Sequence, residues 1–386
     1  MKFDAFFRFL RNPSAILLVF WLTPQCGSAQ TQSNGDTNQS WSATTEQQLP
    51  SNLNPTRTSE IHTEAGGRTL DTQKMERMGA DGRYEPYLDV QRETTNVDAN
   101  TTRTIERTFG RDSEGRKTLV QVTEEEKRSL PGGEVKAQRT TSNPDANGAL
   151  QIVQREIQDT RQISPTTQET KNTVLTPSSN GGLTASVQTT ERETKTSEHS
   201  VEFRKSTLVP DSNGNWQVSE VRQGTVKDNG KDRTKEENVL RPGTDGNLSV
   251  VERTVSKESN TAGEKRDVVE TYSTNLPGTP IDGDLHLNQR SVTIQRKGEE
   301  GGRSTETQVE QRNPAQPSDS LRVTKEAIDI VRPGFGGTTR ETQTIRSLDS
   351  NGDLGVVSVD TRKQDGAPAV QVDIAPAKTA KAAPGH

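Results

Sequence analysis

The sequence predicts an all-β fold, an elongated repeat array in which hairpins follow one another as an antiparallel meander. Turn-like sites centred on Gly82, Gly115, Gly148, Gly181, Gly214, Gly246, Gly283, Ser320 and Gly352 recur every 32 to 37 residues, and a fixed period of this size marks a repeat architecture. Apolar residues with the two-residue spacing of a strand follow these turns. The rest of the chain is too polar for a large globular core: only 26% of its 386 residues are hydrophobic and 4% aromatic, whereas 27% are charged.

Residues 1–29 read as a signal peptide. Lys2, Arg8 and Arg11 form a basic start, Ala15 to Leu22 an apolar stretch, and Gly27-Ser28-Ala29 a small-residue cleavage site. The apolar stretch is too short to anchor in a bilayer, so the expectation is export without a transmembrane anchor. Cys26 is the single cysteine and is preceded by Thr23-Pro24-Gln25 rather than a leucine-led lipidation box. Cleavage after Ala29 leaves no cysteine for a disulfide. It also removes three basic residues and one acidic residue, taking the formal charge from -5 to -7.

Residues 30–70 are dominated by Ser, Thr, Asn and Gln and read as a flexible leader, with Trp41 as an isolated contact point. Residues 71–365 form the β-rich repeat region. Residues 366–386, rich in Ala, Pro and Lys, read as a tail, with a terminal strand over Ala369–Ile374 as the competing possibility.

Within the repeat region, Pro144, Pro177, Pro210 and Pro242 stand a few residues before the turn glycines. Proline restricts the end of an extended segment, and glycine permits the positive φ of a tight reversal. Asp145-Ala146-Asn147-Gly148, Asp211-Ser212-Asn213-Gly214 and Asp349-Ser350-Asn351-Gly352 are the clearest examples. An apolar column then runs through Leu150, Leu183, Trp216, Leu248, Leu285, Leu321 and Leu354, with Ile152, Ala185, Val218, Val250, Leu287, Val323 and Val356 two residues on. In this column Trp216 reads as an inward packing residue. Gly132-Gly133, Asn229-Gly230, Gly263, Gly301-Gly302 and Gly336-Gly337 divide the repeats roughly in half, as the far turns of two-strand units would. A β-solenoid and a largely disordered repeat are the competing architectures.

Repetition of one surface suits an exported structural or surface-associated scaffold, whose free sheet edges offer self-association or contact with a cell-envelope or extracellular polymer. The alternative is a multivalent extracellular binding module for polysaccharide or protein. Either places the protein in the periplasm, at the cell surface or outside the cell. No concentrated basic surface points to nucleic acid.

No catalytic, cofactor-binding or metal-ligating residue is assigned. His62, His199, His286 and His386 are widely separated and suggest neither a zinc site nor a catalytic arrangement, so the protein is not expected to be an enzyme. The alternating oxygen donors Asp349, Asn351 and Asp353, repeated in part by Asp211, Asn213 and Asn215, resemble calcium ligands. They lack the spacing and the final acid of an EF-hand loop, and a hairpin turn explains the same residues without an ion.

Overall fold

The computed structural model describes residues 39–49, 55–274, 283–298, 301–313 and 320–365. The signal peptide and tail expected from the sequence, including Ala369–Ile374 and His386, lie outside the described residues.

The chain forms twenty strands. They are β1 (Gln39–Gln48), β2 (Thr56–Ala65), β3 (Arg68–Met78), β4 (Tyr84–Asn96), β5 (Thr101–Arg111), β6 (Lys117–Ser129), β7 (Val135–Pro144), β8 (Leu150–Ser164), β9 (Thr167–Pro177) and β10 (Leu183–Ser197). There follow β11 (Ser200–Pro210), β12 (Trp216–Asp228), β13 (Asp232–Pro242), β14 (Leu248–Thr261), β15 (Glu264–Ser273), β16 (His286–Lys297), β17 (Arg303–Gln311), β18 (Arg322–Pro333), β19 (Thr339–Leu348) and β20 (Leu354–Asp365). Each pairs antiparallel with the next, and β20 then pairs with β1 from Ser42↔Asp365 to Gln48↔Val359. The sheet is a closed barrel, which corrects the expected elongated meander and its solenoid and disordered alternatives.

Two features close the sheet. The first is a belt of β-bulges. The ladder slips by one residue at Tyr87, Val120, Val153, Ser186, Ser219, Val251, Asn288, Thr324 and Val357, on every even-numbered strand from β4 to β20, with further slips at the far ends of β8 and β10. A bulge bends its strand and increases local twist, and a full circuit of them at one level supplies the curvature that a flat meander lacks. Three bulge residues also reach the opposite backbone through their hydroxyls: Ser186 Oγ donates to the Val174 carbonyl at 3.2 Å, Ser219 Oγ to that of Thr207 at 3.2 Å and Thr324 Oγ1 to that of Val309 at 3.3 Å. The second feature is β1 itself. β1 and β2 come from the stretch read as a flexible leader, and their backbone groups find partners because neighbouring strands supply complete ladders.

The turn chemistry explains the hairpins. At the Asp145 turn the Asp145 N–H donates to the Ala149 carbonyl at 2.9 Å, and the Gly148 N–H returns to the Asp145 carbonyl at 2.9 Å. Gly148 takes φ 82°, a value open to glycine and costly for other residues. Asp145 Oδ1 accepts the N–H groups of Asn147 at 2.8 Å and Ala149 at 2.9 Å. Asp112, Asp211 and Asp349 repeat this pattern.

These bonds hold the turn carboxyls below their ordinary value of 3.8. The chief cause is the N–H of Ala149 at Asp145, that of Asn215 at Asp211 and that of Asp353 at Asp349, and the Arg116 side chain at Asp112. A carboxyl with a lowered folded-state pKa stabilises the fold above its unfolded pKa, and that contribution is lost as the pH falls through the folded value. Thermal midpoints are therefore expected to hold from neutrality down to the ordinary value and to drop below it. The triple variant Asp145→Asn, Asp211→Asn, Asp349→Asn, which keeps the turn geometry but cannot titrate, should show a shallower drop in melts followed by circular dichroism.

Candidate functional site

Residues paired across the ladders share a face, so one face can be followed around the whole circuit. The face containing Trp41, Ala43, His62 and Asp71 returns to itself through Arg362 and Gln364. Large apolar side chains exposed at regular strand positions, namely Ile61, Leu150, Ile157, Trp216, Val218, Leu248 and Val356, all lie on the other face. On β1 the division is complete: Trp41, Ala43, Thr45 and Gln47 are covered, whereas Ser42, Thr44, Glu46 and Gln48 are exposed. Curvature crowds side chains on a concave wall, so the covered polar face lines the bore and the other face is the outer wall.

Thr, Gln and ion pairs dominate the bore. Thr94–Thr104, Thr160–Thr170 and Thr293–Thr307 are cross-strand hydroxyl pairs at 3.1, 3.0 and 3.0 Å. Arg222 lies 2.6 Å from Glu220 and 3.1 Å from Glu237, Lys235 is 2.6 Å from Glu237, and Arg241 is 3.0 Å from Glu220. Some charges directly opposite one another across the ladders alternate in sign, as in Asp71↔Arg92↔Glu106 and Glu125↔Arg139↔Glu156, whereas Lys205↔Arg222 and Glu258↔Asp267 oppose like charges. Twenty strands about 4.8 Å apart and tilted by about 40° enclose a bore of roughly 40 Å between opposite backbones.

At the β1–β20 seam, Trp41 stacks on His62 with centroids 5.3 Å apart, and the Arg362 guanidinium lies 6.0 Å over the indole. His62 Nδ1 pairs with Asp71 at 2.5 Å, and Arg362 bridges to Glu60 at 2.9 Å. The indole is engaged by residues of both neighbouring strands, which makes Trp41 part of the closure rather than a ligand platform. Its isolation in a polar segment was the only sequence signal for this cluster.

The apolar column lies on the outer wall, next to the rim formed by the Asp-Asn-Gly turns. Leu150 and Ile152, Leu183 and Ala185, Trp216 and Val218, Leu248 and Val250, and Leu354 and Val356 all lie there, with Leu175, Leu208 and Leu240 on the strands that precede β10, β12 and β14. Trp216 is thus an outward residue, 36% exposed, correcting its inward reading. A sheet curled around water has no apolar interior for the column to fill. The resulting collar is two side chains deep, about 7 Å along the strands, compared with an apolar band of about 25 Å on a fully immersed barrel. Further from the rim the outer wall carries ion pairs such as Glu169 with Arg192 at 2.8 Å and Arg161 at 3.0 Å, while on β2 and β3 the Glu76–Arg57 pair at 2.7 Å stands at the level of the collar and interrupts it.

Among the described residues no group of three or more His, Cys, Asp or Glu side chains could hold a metal ion. The calcium-like residues Asp211 and Asp349 direct Oδ1 to backbone N–H groups of their own turns. His199 lies in a turn and His286 on β16, distant in the sequence of strands from His62, so the histidines are not assembled into a catalytic centre.

Closure overturns the scaffold function and its assembly partners, because pairing β20 with β1 leaves no free edge. It also overturns the binding-module alternative, which relied on an extended sheet offering repeated units along one accessible face. The expectation of no transmembrane anchor considered apolar helices alone. No helix among the described residues is long and apolar enough to cross a membrane, but closed barrels cross with strands. Assignment to the periplasm, cell surface or medium without membrane embedding falls with that argument.

No family model and no curated protein matches the chain. Among solved structures it is similar to the siderophore receptor PirA from Acinetobacter baumannii, with TM-score 0.48 and 6% identity over 86% of this chain and 81% of that one. It is also similar to the FrpB iron transporter from Neisseria meningitidis, with TM-score 0.46 and 8% identity over 85% and 81%. OccK5 (OpdH) from Pseudomonas aeruginosa gives TM-score 0.40 and 8% identity over 85% and 97%. Likenesses this distant carry no argument about activity.

Proposed function

We propose that this protein is a non-enzymatic barrel that provides a wide hydrophilic passage and is held at a membrane by its apolar collar. The observation that carries the reading is the division of the two faces: the bore is polar around the full circuit, whereas the exposed large apolar side chains of regular strand positions lie outside. A collar about 7 Å deep matches the depth of about 5–10 Å over which amphipathic surfaces bury in a bilayer interface. Beyond the collar, basic side chains outnumber acidic ones on the outer wall, a balance that favours anionic headgroups. The ion-paired part of that wall stands in water.

The test is flotation with vesicles containing anionic lipid, and the protein is expected to float with them. Leu150→Asp and Leu248→Asp should each reduce flotation about tenfold or more, because each removes a side chain whose burial contributes about 1.5–3 kcal/mol. Ile61→Asp, an exposed position outside the collar, should leave it unchanged. A protein that does not float would overturn the membrane seat.

A further inference from the structure

We infer that the bore admits hydrophilic solutes without discriminating between positive and negative charge. The inference rests on the passage reading and adds the class of solute. Its first basis is local charge compensation. Besides the Glu220, Glu237 and Arg222 cluster, Lys205 pairs with Glu191 at 3.7 Å, Lys265 with Glu258 at 2.9 Å and Arg303 with Asp329 at 3.6 Å. Glu341 is directly opposite Arg362 in the ladder. Acidic and basic side chains nearly balance over the whole concave wall, and like charges in succession on one strand there, such as Glu191 and Glu193 on β10 or Arg233 and Lys235 on β13, come in pairs with the opposite sign close by. Opposite charges a few ångströms apart act on a distant solute as dipoles, whose fields fall faster than those of single charges.

The second basis is width. With a backbone-to-backbone span of roughly 40 Å, a solute on the axis is about 20 Å from the backbone and well over 10 Å from most side-chain charges. The Debye length at physiological ionic strength is about 8 Å. Screening therefore removes most of the residual field before it reaches the axis, and entry depends on size and hydration.

The inference can be tested on the full-length protein without a membrane. In a Cys26→Ser background, Thr141→Cys and Thr271→Cys each place one thiol on the concave wall. Their modification rates are measured with an anionic and a cationic methanethiosulfonate of similar size, against a free thiol in the same buffer. The anionic-to-cationic rate ratio should fall within about threefold of the free-thiol ratio at physiological salt. Adding Glu125→Lys and Glu156→Lys, which makes the neighbourhood of Thr141 cationic, should shift the ratio several-fold toward the anionic reagent and show that the assay responds to charge.

A preference of tenfold or more for one sign in the otherwise unchanged barrel would overturn the inference while leaving the passage intact. Thiols that react with neither reagent, in variants that retain the parent's circular dichroism spectrum, would overturn the inference and the open bore together. Normal, sign-independent reaction in a protein that fails to float on vesicles would support the inference and refute only the membrane seat.

Discussion

Deletion of β1, residues Gln39–Gln48, is expected to convert a monodisperse barrel into large aggregates. In the intact sheet β1 satisfies the facing edges of β2 and β20 together, over the registers Gln39↔Glu64 to Gln47↔Thr56 and Ser42↔Asp365 to Gln48↔Val359. Without it both edges present rows of free N–H and carbonyl groups, which pair readily with another chain. β2 and β20 are not short edge strands, at 10 and 12 residues, and no proline interrupts them. The seam cluster would be lost as well, since Trp41 is the ring that both His62 and Arg362 contact. Light scattering over a concentration series should show growth for the deletion and none for the parent. Trp41→Ala, which retains the ladder, should stay monodisperse but melt lower. A deletion variant that remains a stable monomer would mean that closure through β1 does not hold the barrel together.

Gly224→Ala is expected to destabilise the barrel by about 3 kcal/mol, the upper part of the range for forcing extra atoms into a packed position. Gly224 lies in β12, opposite Phe203 of β11 and Glu237 of β13. A Cβ on its present backbone would be 1.9 Å from the Glu236 carbonyl oxygen. The obstacle is backbone, so relief requires β12 and β13 to separate or twist. Lys235 Nζ lies 5.1 Å over the Phe203 ring beside this site, and that contact would move with the strands. Calorimetry should show the lower midpoint, and amide exchange should accelerate first in β12 and β13. Gly355, whose Cβ would meet nothing within 4 Å, provides the comparison: Gly355→Ala should change the midpoint by far less.

The hairpins could be read directly from the sequence because their determinants are local. Asp211-Ser212-Asn213-Gly214 contains both the side-chain acceptor and the positive-φ residue of its turn, and Pro210 marks the end of the preceding strand. Closure could not be read that way, because it depends on the sum of small bends around the circuit and on the return of β20 to β1. One signal for the bulges was present. Leu150, Ile152 and Ile157 share a face although Ile152 and Ile157 are separated by an odd number of residues, and the extra residue is Val153. The inward reading of the column failed for a related reason. Periodicity shows that Leu150, Trp216 and Leu248 share a face, but which face meets water follows from the direction in which the sheet curls.

The twenty-strand circuit also makes the barrel directional. An even number of strands returns the chain to the rim from which it started, and pairing of Ser42 with Asp365 places the outer ends of β1 and β20 together there. The Asp-Asn-Gly turns lie at the opposite rim, beside the collar. Domains fused before Gln39 and after Asp365 would therefore emerge as neighbours on one side, leaving the other mouth to hairpin turns. A protease or antibody directed at either rim would thus report which way the barrel points.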